Sequence, residues 1–251
     1  MPEAAVLTDI EGTTTDIAFV HSVLFPYARE RMGKFVRDHA SDAEVAAALG
    51  EIRALEGDAD LSLDDIVARL LAWIGEDRKI KPLKTLQGLI WREGYESGAL
   101  KSHVYADAVA GLRRWHESGI ALYVYSSGSV AAQKLLFAHA PEGDLNFVFS
   151  GYFDTSVGAK LEPGSYRRIA AALARPAQSI LFLSDHSGEL QAASAAGLRV
   201  IGLDRSRAAE APPQIENSVP VVSSFDWIDP EAPSGLRGGQ PPRALPISSL
   251  M

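Results

Sequence analysis

Two carboxylates two residues apart stand at the end of a short apolar run near the N-terminus. Asp9 and Glu11 follow the run Ala4–Thr8, and Gly12 comes directly after them. A strand alternates its side chains, so the two acids would share a face if the strand continued. Gly12 indicates a turn instead, because glycine adopts backbone angles that are closed to other residues. Open α/β sheets bind ligands at the carboxyl ends of their strands, so this pair is a candidate site, with solvated loop acids as the alternative.

Hydroxyl groups and a lysine follow later apolar runs. Ser126 and Ser127 come after Ile120–Tyr125 and precede a helix, where backbone N–H groups and the helix dipole favour an anion such as phosphate. An ordinary cap and loop is the alternative for these serines. Lys160 lies in a polar, glycine-containing approach to the helix that begins near Pro163. Its ammonium can reach a phosphate oxygen or a nucleophilic carboxylate, with a solvated surface lysine as the alternative.

A further acid stands at the end of another apolar run. Asp185 follows Ile180–Leu183 and precedes a helix start. Together with Asp9 it can complete an all-oxygen site of the kind that Mg²⁺ requires. A helix N-cap is the alternative interpretation of Asp185. His186 is adjacent, but a single histidine is weak support for imidazole catalysis, and we leave it outside the mechanism.

The amino-acid composition excludes several kinds of site and partner. The 251 residues contain no cysteine, which excludes disulfides, thiolate metal sites and a cysteine nucleophile. The net charge of −8 provides no basic stripe for a nucleic-acid backbone. No apolar run approaches the ~18 to 20 residues that span a bilayer, and no targeting segment is recognisable. We therefore expect a cytoplasmic protein that acts on a small molecule and binds neither nucleic acid nor membrane. A monomer is the simplest expectation, and an oligomer stays open.

The elements that must position these residues alternate between strands and helices. Besides the runs named above, Leu198–Leu203 predicts a strand and Asn146–Phe149 a weaker one, and helices are predicted at Ser129–His139, Pro163–Ala174 and Gly188–Ala196. This alternation is typical of βαβ units. The fold class predicted is α/β, a doubly wound (Rossmann-like) parallel sheet core.

The interval between the first strand and Ile120 has the helical period instead, with apolar residues three and four apart. Asp42 and Ser62 stand where N-caps are expected, and Gly57 and Gly75 where helices are expected to stop. We predict an α-helical cap over residues 16–100 that can close over the acid pair, with a bundle packed beside the sheet as the alternative. Residues 1–15 and 101–228 form the predicted core, and the Pro-, Gly- and Ser-rich stretch 229–251 a flexible C-terminal tail.

The order of these signals resembles a known superfamily. An acid pair, a serine after the second strand, a lysine and a later strand-end acid follow one another as in the haloacid dehalogenase-like superfamily. Within it, Asp-Ile-Glu-Gly-Thr-Thr resembles the motif of the enolase-phosphatases of methionine salvage, because most phosphatases of the superfamily carry aspartate where this chain has Glu11. Residues 19–29, 86–91, 98–107 and 124–134 resemble signatures of the same family. His186 departs from the valine expected after the aspartate.

The resemblance implies conversion of 2,3-diketo-5-methylthiopentyl-1-phosphate to 1,2-dihydroxy-3-keto-5-methylthiopentene (acireductone), by enolisation and then phosphate removal with Mg²⁺. It implies that Asp9 is the nucleophile that becomes an aspartyl phosphate. It also implies that Asp9, Asp185 and the backbone carbonyl of Glu11 hold the metal.

The chemistry of phosphate monoesters independently requires groups that neutralise the phosphoryl oxygens, for which Lys160, Ser126 and Ser127 are the candidates. It also requires an acid that protonates the leaving oxygen and then deprotonates water, and Glu11 is the candidate for that role.

Several alternatives stay open at the level of sequence. The enolisation base can be Glu11 or a cap residue such as His21 or Lys101. The chain can instead be a Mg-dependent phosphatase of another small phosphate ester without enolase activity. A dehalogenase, which would need no Mg²⁺, and a non-catalytic acidic interaction module are the more distant alternatives.

Overall fold

The computed structural model of the protein describes residues 4–216 and 218–238. A seven-stranded sheet runs through it in the order β3-β2-β1-β4-β5-β7-β6. The strands are β1 (Ala5–Thr8), β2 (Ala121–Tyr125), β3 (Gly151–Phe153), β4 (Ile180–Ser184), β5 (Arg199–Leu203), β6 (Gln214–Glu216) and β7 (Val219–Val222). The helices are α1 (Ile17–Phe19), α2 (Phe25–Asp38), α3 (Ala43–Glu56), α4 (Leu63–Gly75), α5 (Lys81–Glu96), α6 (Ala106–Glu117), α7 (Val130–Ala138), α8 (Pro163–Ala172) and α9 (Ser187–Ala195).

Strand β1 lies inside the sheet, between β2 and β4, and pairs in parallel with both. Ala5, Val6 and Leu7 are fully buried, as expected for a parallel strand that is covered on both faces. Thr8 is level with Val124 of β2 and with Leu183 of β4. The carboxyl ends of these three strands therefore meet at one edge of the sheet. The predicted α/β class with a parallel sheet is confirmed, with one antiparallel pair, β6 and β7, at the sheet's end.

The chain divides into two compact units. Among the described residues, the first contains those up to Thr15, Val104–Ser127 and those from Phe147 onward, and it includes the sheet. The second contains Asp16–His103 and Gly128–Asn146. No helix within the described residues is long and apolar enough to cross a membrane.

The second unit is helical. A π-helical turn, Val20–Leu24, joins α1 to α2, and the indole N–H of Trp91 donates to the Leu24 carbonyl at 2.8 Å. The Ser62 hydroxyl accepts from the Asp65 N–H and caps α4, while Gly57 ends α3 in the left-handed conformation (φ +70°). Helix α7 was predicted to belong with the sheet, but it falls in this unit, where α5 packs against it.

Two segments of the sheet differ from the sequence prediction. The weak strand predicted at Asn146–Phe149 is wrong, because Asn146–Val148 is a 3₁₀ turn and the strand is the following Gly151–Phe153. The hairpin of β6 and β7 was not predicted. Its strands are short, β6 is exposed, and β7 contains Pro220, which argues against a strand although Val221 and Val222 are buried.

The start of the predicted C-terminal tail is bound to the sheet unit. Arg199 of β5 donates to the carbonyls of Ala232 (2.8 Å) and Pro230 (2.7 Å). Gly235 leaves no room for a side chain, since a Cβ there would lie 2.9 Å from the Ile201 side chain. Residues 229–238 therefore make specific contacts, and residues 239–251 of the predicted tail lie outside the described residues.

Candidate active site

The backbone turns sharply immediately after β1. The Ile10 carbonyl accepts the N–H groups of residues 13–15 at 3.2, 2.9 and 2.9 Å, and the Gly12 N–H donates to the Thr15 carbonyl at 2.8 Å. Gly12 has φ +67°, the left-handed conformation that the sequence predicted for it. The turn leaves Asp9 buried, with 4% of its surface exposed, and Glu11 partly exposed.

Gly12 has a second reason to be glycine. A Cβ at this position would overlap the carboxylate of Asp185. The Asp185 N–H also donates to the Thr13 hydroxyl at 3.1 Å. The structure therefore brings Asp185 against the turn that follows Asp9, although 172 positions separate it from Thr13 in sequence.

Lys160 lies between two buried carboxylates. Its Nζ is 2.6 Å from Asp9 Oδ1 and 2.7 Å from Glu189 Oε2. The three side chains are between 6 and 12% exposed, so water screens these charges weakly. The alternative of a solvated surface lysine is wrong for Lys160.

Burial and neighbouring charges set the protonation of these groups. Burial is the largest influence on Asp9; with the Glu189 charge it outweighs the opposing effect of Lys160 and raises the pKa of Asp9 to about 7. Burial and the Glu189 charge likewise raise the pKa of Asp185. Burial by itself would lower the pKa of Lys160, but the flanking carboxylates raise it, so the amine stays protonated.

Glu189 is the site residue that sequence reasoning did not select. It accepts from the Ser184 hydroxyl at 3.0 Å, and its N–H donates to His186 Nδ1 at 3.3 Å. His186 is therefore the N-cap of α9, and the interpretation of Asp185 as the cap is wrong. The available signal was the spacing, since Glu189 follows Asp185 by one helical turn.

The two serines lie at the end of β2. Ser126 is buried, and its N–H donates to the Phe153 carbonyl at 3.2 Å, so this N–H extends the hydrogen bonding between β2 and β3. Ser127 is partly exposed. In the second unit, the Ser129 hydroxyl accepts from the Ala132 N–H and caps α7. Because Val124 is level with Thr8, Ser126 stands at the same sheet edge as Asp9.

The carboxylates at this edge fit a divalent cation. Asp9 and Asp185 are hard oxygen donors whose raised pKa values reflect buried negative charge that Lys160 only partly offsets. In the turn, the carbonyls of Ile10 and Thr15 accept hydrogen bonds, whereas within the described residues no backbone N–H donates to the carbonyl of Glu11. Residues 4–216 and 218–238 contain no group of three acidic or histidine side chains at metal-ligand spacing. The fit therefore rests on two carboxylates and one carbonyl.

Arg205, a partly buried arginine, hydrogen-bonds to the turn that follows β1. Arg205 donates to the Thr13 carbonyl through Nε (3.0 Å) and Nη2 (2.6 Å), and its Nη1 is 2.7 Å from Asp107 Oδ2. The same Asp107 oxygen accepts from the Ser224 hydroxyl (3.0 Å) and the Phe225 N–H (2.8 Å). No sequence motif pointed to Arg205, because its partners come from three distant segments.

Known proteins resemble this chain over most of its length. The haloacid dehalogenase-like hydrolase family matches residues 3–197. An enolase-phosphatase E1 of Parvibaculum lavamentivorans is 56% identical over 82% of this chain and 88% of its own length. An enolase-phosphatase E1 of Azotobacter vinelandii is 53% identical over 92% of this chain and all of its own. The crystal structure of the UTR4 protein of Saccharomyces cerevisiae superposes with a TM-score of 0.74 at 35% identity, covering 89% of this chain and 99% of the yeast chain.

The match extends through the acid pair, the serines, Lys160 and Asp185, all of which lie within residues 3–197. The identity to the two bacterial relatives is more than half, over four fifths of the chain or more. The chain therefore belongs to the haloacid dehalogenase-like hydrolases and, within them, to the enolase-phosphatases.

Proposed function

We propose that this protein is a bifunctional enolase-phosphatase that converts 2,3-diketo-5-methylthiopentyl-1-phosphate to acireductone and phosphate in methionine salvage. The observation that supports it most directly is the buried contact of Lys160 with Asp9, 2.6 Å apart, at the end of β1. This pair combines a nucleophile with a cation, as phosphoryl transfer requires. The Glu at position 11 and the enolase-phosphatase relatives support the enolase half.

Asp9 is the proposed nucleophile. Its carboxylate oxygen forms a bond to phosphorus while the bond from phosphorus to the substrate oxygen breaks. Glu11 donates a proton to the departing oxygen and then accepts one from the water that hydrolyses the aspartyl phosphate. Lys160, Ser126 and Ser127 bind the phosphoryl oxygens, and Lys160 offsets the charge that develops on them.

Mg²⁺ is the proposed cofactor, held by Asp9, Asp185 and the carbonyl of Glu11. When bound, it supplies positive charge that polarises a carbonyl and neutralises phosphoryl oxygens. Residues of the chain then bind and orient the substrate. Glu11, His21 and Lys101 are the proposed candidates for the base that removes the carbon-bound proton, and variants at each position distinguish them.

The decisive experiment follows the two half-reactions separately. Wild-type protein is incubated with the diketo phosphate and Mg²⁺, while the enol is followed by its ultraviolet absorbance and phosphate by a colorimetric assay. We expect the enol to form first and phosphate to follow. Asp9→Asn should lose phosphate release while its circular dichroism stays that of the wild type.

Other outcomes lead to other functions. Phosphate release with no preceding enol, or faster turnover of a simple aldose phosphate, would identify a plain phosphatase. Activity that does not need Mg²⁺ would favour a dehalogenase-like enzyme. Unchanged phosphate release by Asp9→Asn would disprove the assignment of the nucleophile.

We also propose a cytoplasmic location and a monomer. The absence of cysteine and the net charge of −8 support the first proposal. Sedimentation of the purified protein tests the second, since a monomer has a mass of 26.9 kDa.

A further inference from the structure

The backbone that leads into Lys160 is held by side chains at four successive carbonyls. All four donors are side-chain groups of the sheet unit, and three of them come from helix α8, which begins three residues after Lys160. The bonds are Arg168 Nε to Val157 O (2.6 Å), Tyr125 OH to Gly158 O (2.8 Å), Ser165 Oγ to Ala159 O (2.8 Å) and Tyr166 OH to Lys160 O (2.7 Å).

Three of the four donors lie in the interior, whereas Arg168 is exposed. Tyr125, Tyr166 and Ser165 have no exposed surface, and the two tyrosine rings meet edge to face with centroids 5.6 Å apart. A buried hydroxyl needs a partner, and these two tyrosines find theirs in the carbonyls of Gly158 and Lys160. These bonds therefore tie the partly buried residues Gly158 and Lys160 to fully buried side chains.

The contact of α8 with this backbone is close. Gly158 has φ +134°, and a Cβ there would overlap the side chains of Ser165 and Arg168. The loop can therefore approach its donors only because position 158 is glycine.

The loop ends in the long side chain whose ammonium must meet two carboxylates. Lys160 Nζ lies 2.6 Å from Asp9 and 2.7 Å from Glu189, and 5.8 Å from the ring centre of Tyr125. A long, flexible side chain keeps such a geometry more reliably when its backbone is fixed, and small displacements of a reacting group are costly for catalysis. Holding the Lys160 carbonyl and the Gly158 carbonyl restricts where that backbone can move.

We propose that the hydroxyls of Tyr166 and Tyr125 are positioning groups for Lys160, which act on phosphoryl transfer through the lysine and touch no substrate. The proposal deepens the proposed function, because it rests on Lys160 binding the transferred phosphoryl group. It assigns the two tyrosines a role beyond filling the core.

The variants Tyr166→Phe and Tyr125→Phe test it, since each removes one hydroxyl and preserves the ring. Tyr123→Phe on the same strand β2 is the matched control, because the Tyr123 hydroxyl has no hydrogen bond within residues 4–216 and 218–238. With saturating Mg²⁺, we expect kcat to fall about tenfold in the first two variants, KM to change less than about threefold, and the control to match the wild type.

A double-mutant cycle separates positioning from a structural role. Each tyrosine variant is also made in a Lys160→Ala background, and the Kd of orthovanadate, a mimic of the pentacoordinate phosphoryl group, is measured by calorimetry beside kcat. The tyrosine substitutions should weaken vanadate binding in the Lys160 protein and have no further effect once the ammonium is gone.

The proposal would be overturned if the tyrosine substitutions weakened vanadate binding equally in the wild-type and Lys160→Ala backgrounds, or if neither tyrosine variant lost kcat or vanadate affinity. If Tyr166→Phe does not fold, Tyr125→Phe carries the same test. Failure of the proposed function is seen separately, as wild-type protein that binds vanadate but forms no enol from the diketo phosphate.

Discussion

The protonation of Asp9 depends on burial and on its charged neighbours. Burial raises its pKa to about 7, and Lys160 at 2.6 Å acts against that by favouring the charged form. Glu189 holds the other side of the ammonium, 2.7 Å away, so the lysine is shared between two acids. Asp9, the proposed nucleophile, therefore shares one counter-charge with Glu189, and a divalent cation at this edge would offset the remaining negative charge.

Glu11 is the proposed general acid and base. We expect Glu11→Ala to lower kcat by about 10²- to 10⁴-fold, because general acid–base catalysis typically contributes that much. The side chain is partly exposed and outside the core, so the thermal unfolding midpoint should stay close to the wild-type value. Steady-state kinetics across pH, with Glu11→Asp as the conservative control, provide the measurement. Wild-type rates at every pH would refute the acid–base role.

The turn after β1 brings residues of the candidate site together at the end of this strand. Its hydrogen bonds converge on the Ile10 carbonyl, Gly12 supplies the left-handed backbone, and Thr13 receives the N–H of Asp185. The sequence predicted this turn because glycine after a strand is a local signal. It did not predict the contact with Asp185, because 172 positions separate Asp185 from Thr13.

Gly12→Ala tests the two reasons for glycine at this position. The left-handed backbone should cost about 1 kcal/mol of unfolding free energy, and displacement of Asp185 by the new Cβ should lower kcat about 100-fold. Gly57→Ala is the matched control: its φ is +70°, but a Cβ there meets nothing within 4 Å. Urea unfolding should give a comparable loss in both variants, and kinetics a loss in Gly12→Ala alone. Full activity in Gly12→Ala would contradict the steric argument.

At the scale of the whole molecule, distant segments converge on a few ion pairs and hydrogen bonds. Arg205 joins the turn at Thr13 to Asp107 in α6 and to the Ser223 carbonyl, 3.2 Å away. Burial by itself would raise the pKa of Asp107, but Arg205 and the hydrogen bonds from Ser224 and Phe225 outweigh burial and lower it.

The lowered pKa predicts how the stability of the fold depends on pH. A carboxyl whose pKa is lower in the folded state stabilises the fold above its unfolded pKa, about 4, and loses that contribution as the pH falls through its folded pKa. We expect Asp107→Asn to lower the unfolding free energy by about 3 kcal/mol at pH 7, because it leaves Arg205 without its counter-charge. The difference from the wild type should shrink below pH ~4.

Urea unfolding at pH 7, 5 and 3 measures this difference. Asp38→Asn is the control for a surface ion pair, since Asp38 pairs with the exposed Lys34, and it should have a much smaller effect at every pH. A difference between Asp107→Asn and the wild type that stays constant or grows toward acid pH would contradict the prediction.

The sequence by itself determined which polar residues follow the strand ends and predicted their chemistry. Asp9, Glu11 and Gly12, the serines after β2 and Asp185 after β4 were recognisable because strand periodicity, turn-forming glycine and carboxylate chemistry are local properties. The alternating strands also predicted the parallel sheet that places these residues at one edge. The short hairpin of β6 and β7 was not predicted, because β6 is three exposed residues long and the proline within the four residues of β7 argues against a strand.

Only the tertiary structure decided which partners these residues have. It paired Lys160 with both Asp9 and Glu189, set Asp185 against Gly12, and placed Arg205 behind the turn. It also brought the hydroxyls of Tyr125 and Tyr166 onto the loop that carries the lysine. These contacts join residues whose spacing in sequence has no fixed relation to their distance in space. They depend on how the helices and strands pack, which no local pattern specifies.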